Sequence, residues 1–344
     1  MERRLYEVVQ ITKVHSKNTL KLLRFSLSRV STKHIHHACS CCRYLQPRTP
    51  DCSKDPGVNQ SSSYYSVQNS EYQENQTVLI SQGYQCQVVN YKSSSSLQHA
   101  LMGVDTVIST VTGKPQLRLI EAAVQCRVRR FAPAEFEGQP GQRVPNSILD
   151  RGQSPALNLL RQYAAYIQST AFVCGIFYER FAVGGLRAHQ IGANIASGEG
   201  DYIADLRNMT AVAPVYDAAN NYSYLCLTSI YDVAKFVVRS LDIPRWPVEM
   251  SMCGERMSVN ALIELIKTCR GRPLHPLEWQ NPSGLQYQLS VADDITQQQR
   301  IATHLATAEG RYDFVTPAYL NSMYPDVLTT SFQAWLSHTW AAIP

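Results

Sequence analysis

The chain has 344 residues, of which 44% are hydrophobic and 17% charged, with a formal net charge of +5. That is an ordinary soluble composition, able to bury a substantial core in one large or two modest domains, and no run approaches the ~18 apolar residues that a membrane helix needs. Ten Lys or Arg against Glu2 and Glu7 place +8 on residues 1–50 and leave −3 on the rest, so the basicity gives no support for nucleic-acid binding by the folded part.

Residues 1–77 read as an atypical segment, basic and then polar, expected to be irregular or disordered. Leu20, Leu22, Leu23, Phe25 and Leu27 stand among Lys, Arg and Ser, as in a mitochondrial transit peptide. The other readings are a basic arm for acidic partners or a stretch with no selected role, and the compartment expected for the body is cytoplasmic, with mitochondrial as the alternative. His34, His36, His37, Cys39, Cys41, Cys42 and Cys52 crowd together, but without the paired spacing of a zinc site, so no metal is expected. The remaining six cysteines are scattered among apolar segments, as buried reduced thiols would be. Residues 47–76 have linker composition.

Order is expected to resume near Val78, with a strand over 85–91 and a short polar helix over 93–101. A β-branched run at 106–110 then ends in a Gly-containing turn, and Leu117, Ile120, Ala123 and Val124 recur at helical spacing before a second extended run begins at Arg130. That order predicts a strand–helix–strand crossover of a parallel sheet. Both strands would then end on one edge, and the turns at 111–115 and 133–138 would be neighbours at the edge where open α/β folds bind ligands. Further on, 157–166 reads as a helix, 170–177 as a buried strand and 182–225 as irregular hairpins. Ser229 and Ser258 open helices, the second closed by Gly271.

The blocks GVDTVISTVTG (103–113), a Gln opening the helix, LIEAA (119–123), RRFAPAEFEG (129–138), TSIYDVAKFV (228–237) and CGERMS (253–258) together resemble the NmrA-like and isoflavone reductase-like group of atypical short-chain dehydrogenases. The resemblance covers about residues 84–280. It implies an α/β fold with a Rossmann-like parallel sheet and a smaller, substrate-covering α+β part. The NAD(P)-binding domain would span 78–180 and the substrate-covering part 181–344. It implies NADPH as cofactor, beside Thr110, Val111, Gly113 and Gln116 on one wall and Pro133, Ala134, Glu135 and Phe136 on the other. It implies a small aromatic or unsaturated substrate near Phe177, Tyr178 and Phe181, whose alternative is plain core packing.

Three departures bear on activity. The group's Gly-rich phosphate turn should lie well upstream of residue 103, yet the chain has no glycine before Gly57, so backbone amides have no close approach to a pyrophosphate there. The group's active-site Lys falls on Gly152, or on Arg151 if the register slips by one. Arg stays charged and cannot shuttle a proton, although Arg151 could orient an anionic or carbonyl substrate. The usual Ser is Ala134, and Glu135 could pair with Arg129 or Arg130 instead of a ligand. These features leave two functions open. One is an NAD(P)H-dependent reductase; the other is a non-catalytic NAD(P) sensor that binds a protein partner.

Overall fold

The structure is a computed structural model that describes residues 9–12, 63–67, 85–189, 191–192 and 195–343. The basic segment, the His and Cys cluster and most of the polar stretch before residue 77 lie outside these residues. Chain order begins β1 (Val9–Thr12), β2 (Ser63–Val67), β3 (Gln85–Val88), α1 (Ser94–Leu101), β4 (Thr106–Ile108), α2 (Gly113–Gln125) and β5 (Arg130–Ala132). It continues with β6 (Phe136–Glu137), α3 (Gln153–Gln162), β7 (Gln168–Ser169), β8 (Ala171–Val173) and β9 (Ile176–Phe177).

The main sheet has the order β3-β2-β1-β4-β5-β7. β2 and β3 are parallel, as are β4, β5 and β7 in series, while β1 runs antiparallel to both β2 and β4. The expected parallel sheet is thus parallel except at β1. The sequence has no glycine before Gly57 to form the Gly-rich turn that opens a parallel crossover, and the described strand beside β4 runs the other way. The central crossover is as expected: β4 pairs β5 in parallel, Val107 opposite Phe131, across the amphipathic α2. Leu119, Ile120 and Ala123 of α2 are buried against Val107, Val111 and Phe131.

The strand expected over 170–177 is broken in two. Gly175 lies between β8 and β9 with φ +69°, and a Cβ there would stand 2.1 Å from the Cys226 carbonyl oxygen. Only glycine tolerates both the left-handed backbone and the close approach. β8 pairs β6 and β13 (Glu249–Ser251) in parallel.

The C-terminal part adds α4 (Gly185–Ala188), β10 (Ala204–Asp205), β11 (Thr210–Ala213), β12 (Tyr224–Thr228) and α5 (Ile230–Ser240). Beyond β13 follow β14 (Glu255–Ser258), α6 (Val259–Arg270), β15 (Leu277–Trp279), α7 (Pro282–Val291), α8 (Ile295–Ala308), α9 (Tyr319–Met323) and α10 (Phe332–Trp340). Its core gathers Tyr178, Phe181, Tyr202, Leu262, Phe332, Leu336 and Trp340.

Half of these ten helices start in one way. Ser93, Ser258, Asn281, Asp294 and Ser331 each accept a hydrogen bond from the backbone N–H three residues on. Such caps satisfy donors that the first helical turn cannot pair internally. α2, α3, α4 and α9 start without a side-chain cap hydrogen bond.

Candidate functional site

Because β4 and β5 are parallel, the turns that follow them lie on one edge, and hydrogen bonds join them. The Ser109 N–H donates to the Ala132 carbonyl at 2.8 Å. Gln116, in the first turn of α2 and fully buried, accepts from the Ala134 N–H at 2.7 Å through Oε1. Gln153 at the start of α3 donates to the Ala134 carbonyl at 2.7 Å. The peptide groups on both sides of Ala134 are therefore fixed by side chains of α2 and α3. This residue, whose missing hydroxyl distinguishes it from the family pattern, contributes through its backbone.

The first turn has the features of a ligand cradle. Two of them coincide at the start of α2: Gly113 at φ +68° with no described atom within 4 Å of a built Cβ, and a buried Gln116 Nε2 without a hydrogen-bond partner among the described residues. A helix N-terminus presents unpaired N–H groups and positive potential, and an unpartnered buried amide nitrogen calls for an explanation. Thr110 is half-buried in the same turn, whereas the Val111 side chain is packed in the core, so only its backbone can face a ligand.

The second wall, Pro133 to Phe136, is buried up to a half-buried Phe136, whose ring stacks on Phe172 at 5.5 Å. Glu135 pairs with neither Arg129 nor Arg130. Those two bind Asp105, because all three side chains sit at the opposite, amino-terminal end of the crossover. The partner of Glu135 is Arg143, which grips both carboxylate oxygens at 2.8 and 2.9 Å and also donates to Asp150 at 3.0 Å and Gln153 at 2.8 Å. Burial nevertheless raises the Glu135 carboxyl above its ordinary range, with the Arg143 hydrogen bonds only partly opposing it.

Arg151 and Gly152 form a left-handed turn, φ +49° and +77°, and a Cβ on Gly152 would lie 3.3 Å from the Gly113 Cα. The segment where the family Lys falls is thus in contact with the first turn. Arg151 Nη2 donates to Glu137 Oε2 at 3.1 Å, and Arg311 Nη2 donates to the same oxygen at 2.6 Å. Burial pushes the Glu137 carboxyl up, but Arg151, Arg311, Arg180 and Arg143 together outweigh it and hold it at about 2.

The aromatic residues divide. Tyr178 and Phe181 are core side chains and do not line a substrate pocket: the Tyr178 hydroxyl donates to the Thr330 carbonyl at 2.9 Å, and both rings pack on Phe332. A 3₁₀ turn over Tyr178–Phe181, started by the break at Gly175, turns these rings into the C-terminal core. Phe177 alone of the three is half-buried.

Sequence reasoning missed Arg143, Gln153, Glu137, Arg311 and Glu179. A lone Arg in a Pro/Gly-rich loop was the one available signal for Arg143. Glu179, fully buried, accepts from the Ile230 N–H at 3.1 Å and the Ser229 hydroxyl at 3.2 Å, capping α5. Burial raises its carboxyl from 4.5 to about 7 against those hydrogen bonds, and Asp232 adds to the rise. Between these values the folded state holds a proton that the unfolded chain has lost. Its stabilisation is therefore complete below about 4.5 and disappears as pH rises through about 7. Glu179→Gln is expected to remove a stability loss on the order of 2 to 3 kcal/mol between pH 5 and 8, read from urea midpoints. An equal loss in the variant would assign that slope elsewhere. Glu137 acts in the opposite sense, its contribution fading only as pH falls from 4.5 towards 2.

Among the described residues there is no group of three or more His, Cys, Asp or Glu that could hold a metal, and no helix is long and apolar enough to cross a membrane.

No family model matches the chain. Among curated proteins it is similar to oxidoreductase BOA1 of Botryotinia fuckeliana, 21% identical over 247 residues, covering 69% of this chain and 76% of that protein. Among solved structures it is similar to AtPrR2 with NADP+ and (+)-pinoresinol, at TM-score 0.62 and 18% identity, covering 80% of this chain and 90% of the other. It is also similar to the binary complex of leucoanthocyanidin reductase with NADPH from Vitis vinifera, at TM-score 0.61 and 15% identity, covering 81% and 91%.

Proposed function

We propose that this chain, which has the fold of the NmrA-like and isoflavone reductase-like proteins, is an NAD(P)H-dependent oxidoreductase acting on a small aromatic or unsaturated molecule. The fold shared with reductases solved with NADP+ or NADPH supports the family, as does the likeness to an oxidoreductase. The observation that carries the reading is the joined pair of turns, with an open Gly113 and a buried Gln116 amide nitrogen that has no hydrogen-bond partner among the described residues.

The residues present fit the nicotinamide half of such a cofactor. Gln116 Nε2 and the first N–H groups of α2 would donate to its polar groups, and the Ala134 backbone would hold the opposite wall. When bound, NADPH supplies a hydride to the unsaturated substrate. Among the described residues nothing fits the pyrophosphate half: the sequence has no glycine before Gly57, and β1, being antiparallel to β4, ends at the edge opposite these turns. Arg151 is a fixed cation beside the first turn, suited to orienting a substrate or opposing negative charge and unable to deliver a proton. Phe177 and Phe136 are the aromatic surfaces left for a substrate.

One observation favours a second reading, a sensor that binds NAD(P) and a protein partner without turnover: Gly152 and Arg151 provide no proton donor where the family has Lys. The test is titration of the full chain with NADPH, following the melting temperature and the nicotinamide absorbance in the presence of aromatic enones. Binding with oxidation is expected; binding without oxidation across the panel supports the sensor, and no binding defeats both.

A further inference from the structure

The charges around Glu137 do not balance. Ion pairs link three guanidinium groups, Arg143, Arg151 and Arg311, to three carboxylates, Glu135, Glu137 and Asp150, but unevenly. The Glu137 side holds two cations against one carboxylate, an excess of one positive charge, while the Arg143 side holds one cation against two. Arg143 is the cation that Glu135 and Asp150 share, while Arg151 and Arg311 both donate to a single oxygen of Glu137. Burying cations beyond the number of their counter-ions is costly unless an anion joins them.

The donors for such an anion are present. The Nε atoms of Arg151 and Arg311 are both buried and have no hydrogen-bond partner among the described residues, and Arg311 is 3% exposed as a whole. Their position is tied to the proposed nicotinamide turn. Arg151 is held by consecutive left-handed residues, with Gly152 against Gly113. A non-glycine residue in that conformation costs on the order of 1–3 kcal/mol, and such strain collects at ligand sites. A side chain that merely solvated a loop would need neither the strained turn nor the buried donors.

We infer that the substrate carries a carboxylate, and that Arg151 and Arg311 bind it beside the nicotinamide turn. A planar, permanently charged guanidinium with fixed N–H directions suits a carboxylate better than a lysine ammonium does. With the family's lysine position falling on Gly152 or Arg151, an arginine at this turn would shift the site from proton donation to anion recognition. The inference rests on the proposed function only for the identity of the neighbouring turn; the anion site itself can be tested without cofactor.

The experiment is calorimetric titration of the full chain with an aryl-substituted unsaturated acid, 3-phenylpropenoate, and with its neutral carboxamide, each with and without NADPH. Inorganic phosphate is titrated as a competing anion. The carboxylate is expected to bind at least about tenfold more tightly than the carboxamide, the scale of one charge-assisted hydrogen bond, and more tightly than phosphate. Arg151→Gln is expected to bring carboxylate and carboxamide within about twofold, and Arg151→Lys to restore part of the difference, with melting curves checking that both variants fold. Equal binding of the acid and the amide by the unmodified chain overturns the inference, and that comparison needs no variant. So does a preference that survives Arg151→Gln, or one for phosphate over the carboxylate. If NADPH fails to bind while the carboxylate preference persists and depends on Arg151, the anion site stands and the oxidoreductase reading falls.

Discussion

Replacing Arg143 by alanine is expected to lower the unfolding free energy by about 3–5 kcal/mol, the range for removing one member of a buried ion pair. Arg143 is buried and is the cation that satisfies both oxygens of Glu135, whose carboxylate is 2% exposed and has no other hydrogen-bond partner among the described residues. Without Arg143, Glu135 must stay buried and unpaired or take up a proton. Burial already pushes its carboxyl upward, so protonation is the cheaper outcome, and the deficit is expected to shrink as pH falls. Asp150 is less affected, because the Ser154 N–H and hydroxyl still donate to it. The double variant Glu135→Leu, Arg143→Leu is expected to recover most of the loss, since replacing both members of a buried pair by apolar groups is often close to neutral. Urea denaturation of the two single variants and the double variant forms the cycle. A single-variant loss below about 1 kcal/mol, the level of an exposed ion pair, would mean that the cluster is solvated.

Gln116→Leu separates structure from ligand binding at the first turn. The substitution removes the acceptor for the Ala134 N–H, now held at 2.7 Å in a buried environment, and a buried donor left unpaired costs about 1–3 kcal/mol. It also removes the unpartnered Nε2 donor. If that nitrogen faces the nicotinamide, NADPH affinity is expected to fall at least about tenfold, the equivalent of 1.4 kcal/mol. Denaturation and fluorescence titration of bound NADPH read the two effects independently. A variant with lowered stability and unchanged NADPH affinity would reduce Gln116 to a clamp between the two turns and would remove the central support for placing the cofactor there.

The crossover was legible because its signals are local. The β-branched run at 106–110 and the apolar spacing of α2 each lie within a few turns of chain, and the parallel register of β4 with β5 follows from joining two strands through a helix. Helix starts at Ser93, Ser229 and Ser258 were legible for the same reason, since a cap acts on N–H groups two or three residues away. The break at Gly175 was not, because what forbids a side chain there is the Cys226 carbonyl, which belongs to another strand.

By itself the sequence determined the class of fold, the pair of turns that face one edge and the departures at Ala134, Arg151 and Gly152. The tertiary structure alone decided which charges meet. Glu137 takes its second cation from Arg311, 174 residues away, and Glu135 takes Arg143 in place of the nearer Arg129 and Arg130. It also decided that Tyr178 and Phe181 are core and that β1 runs against its neighbours. Periodicity and capping express forces between residues close along the chain. The partners of a buried charge, the face an aromatic ring presents and the direction of a strand depend on contacts between distant segments, and no local pattern encodes them.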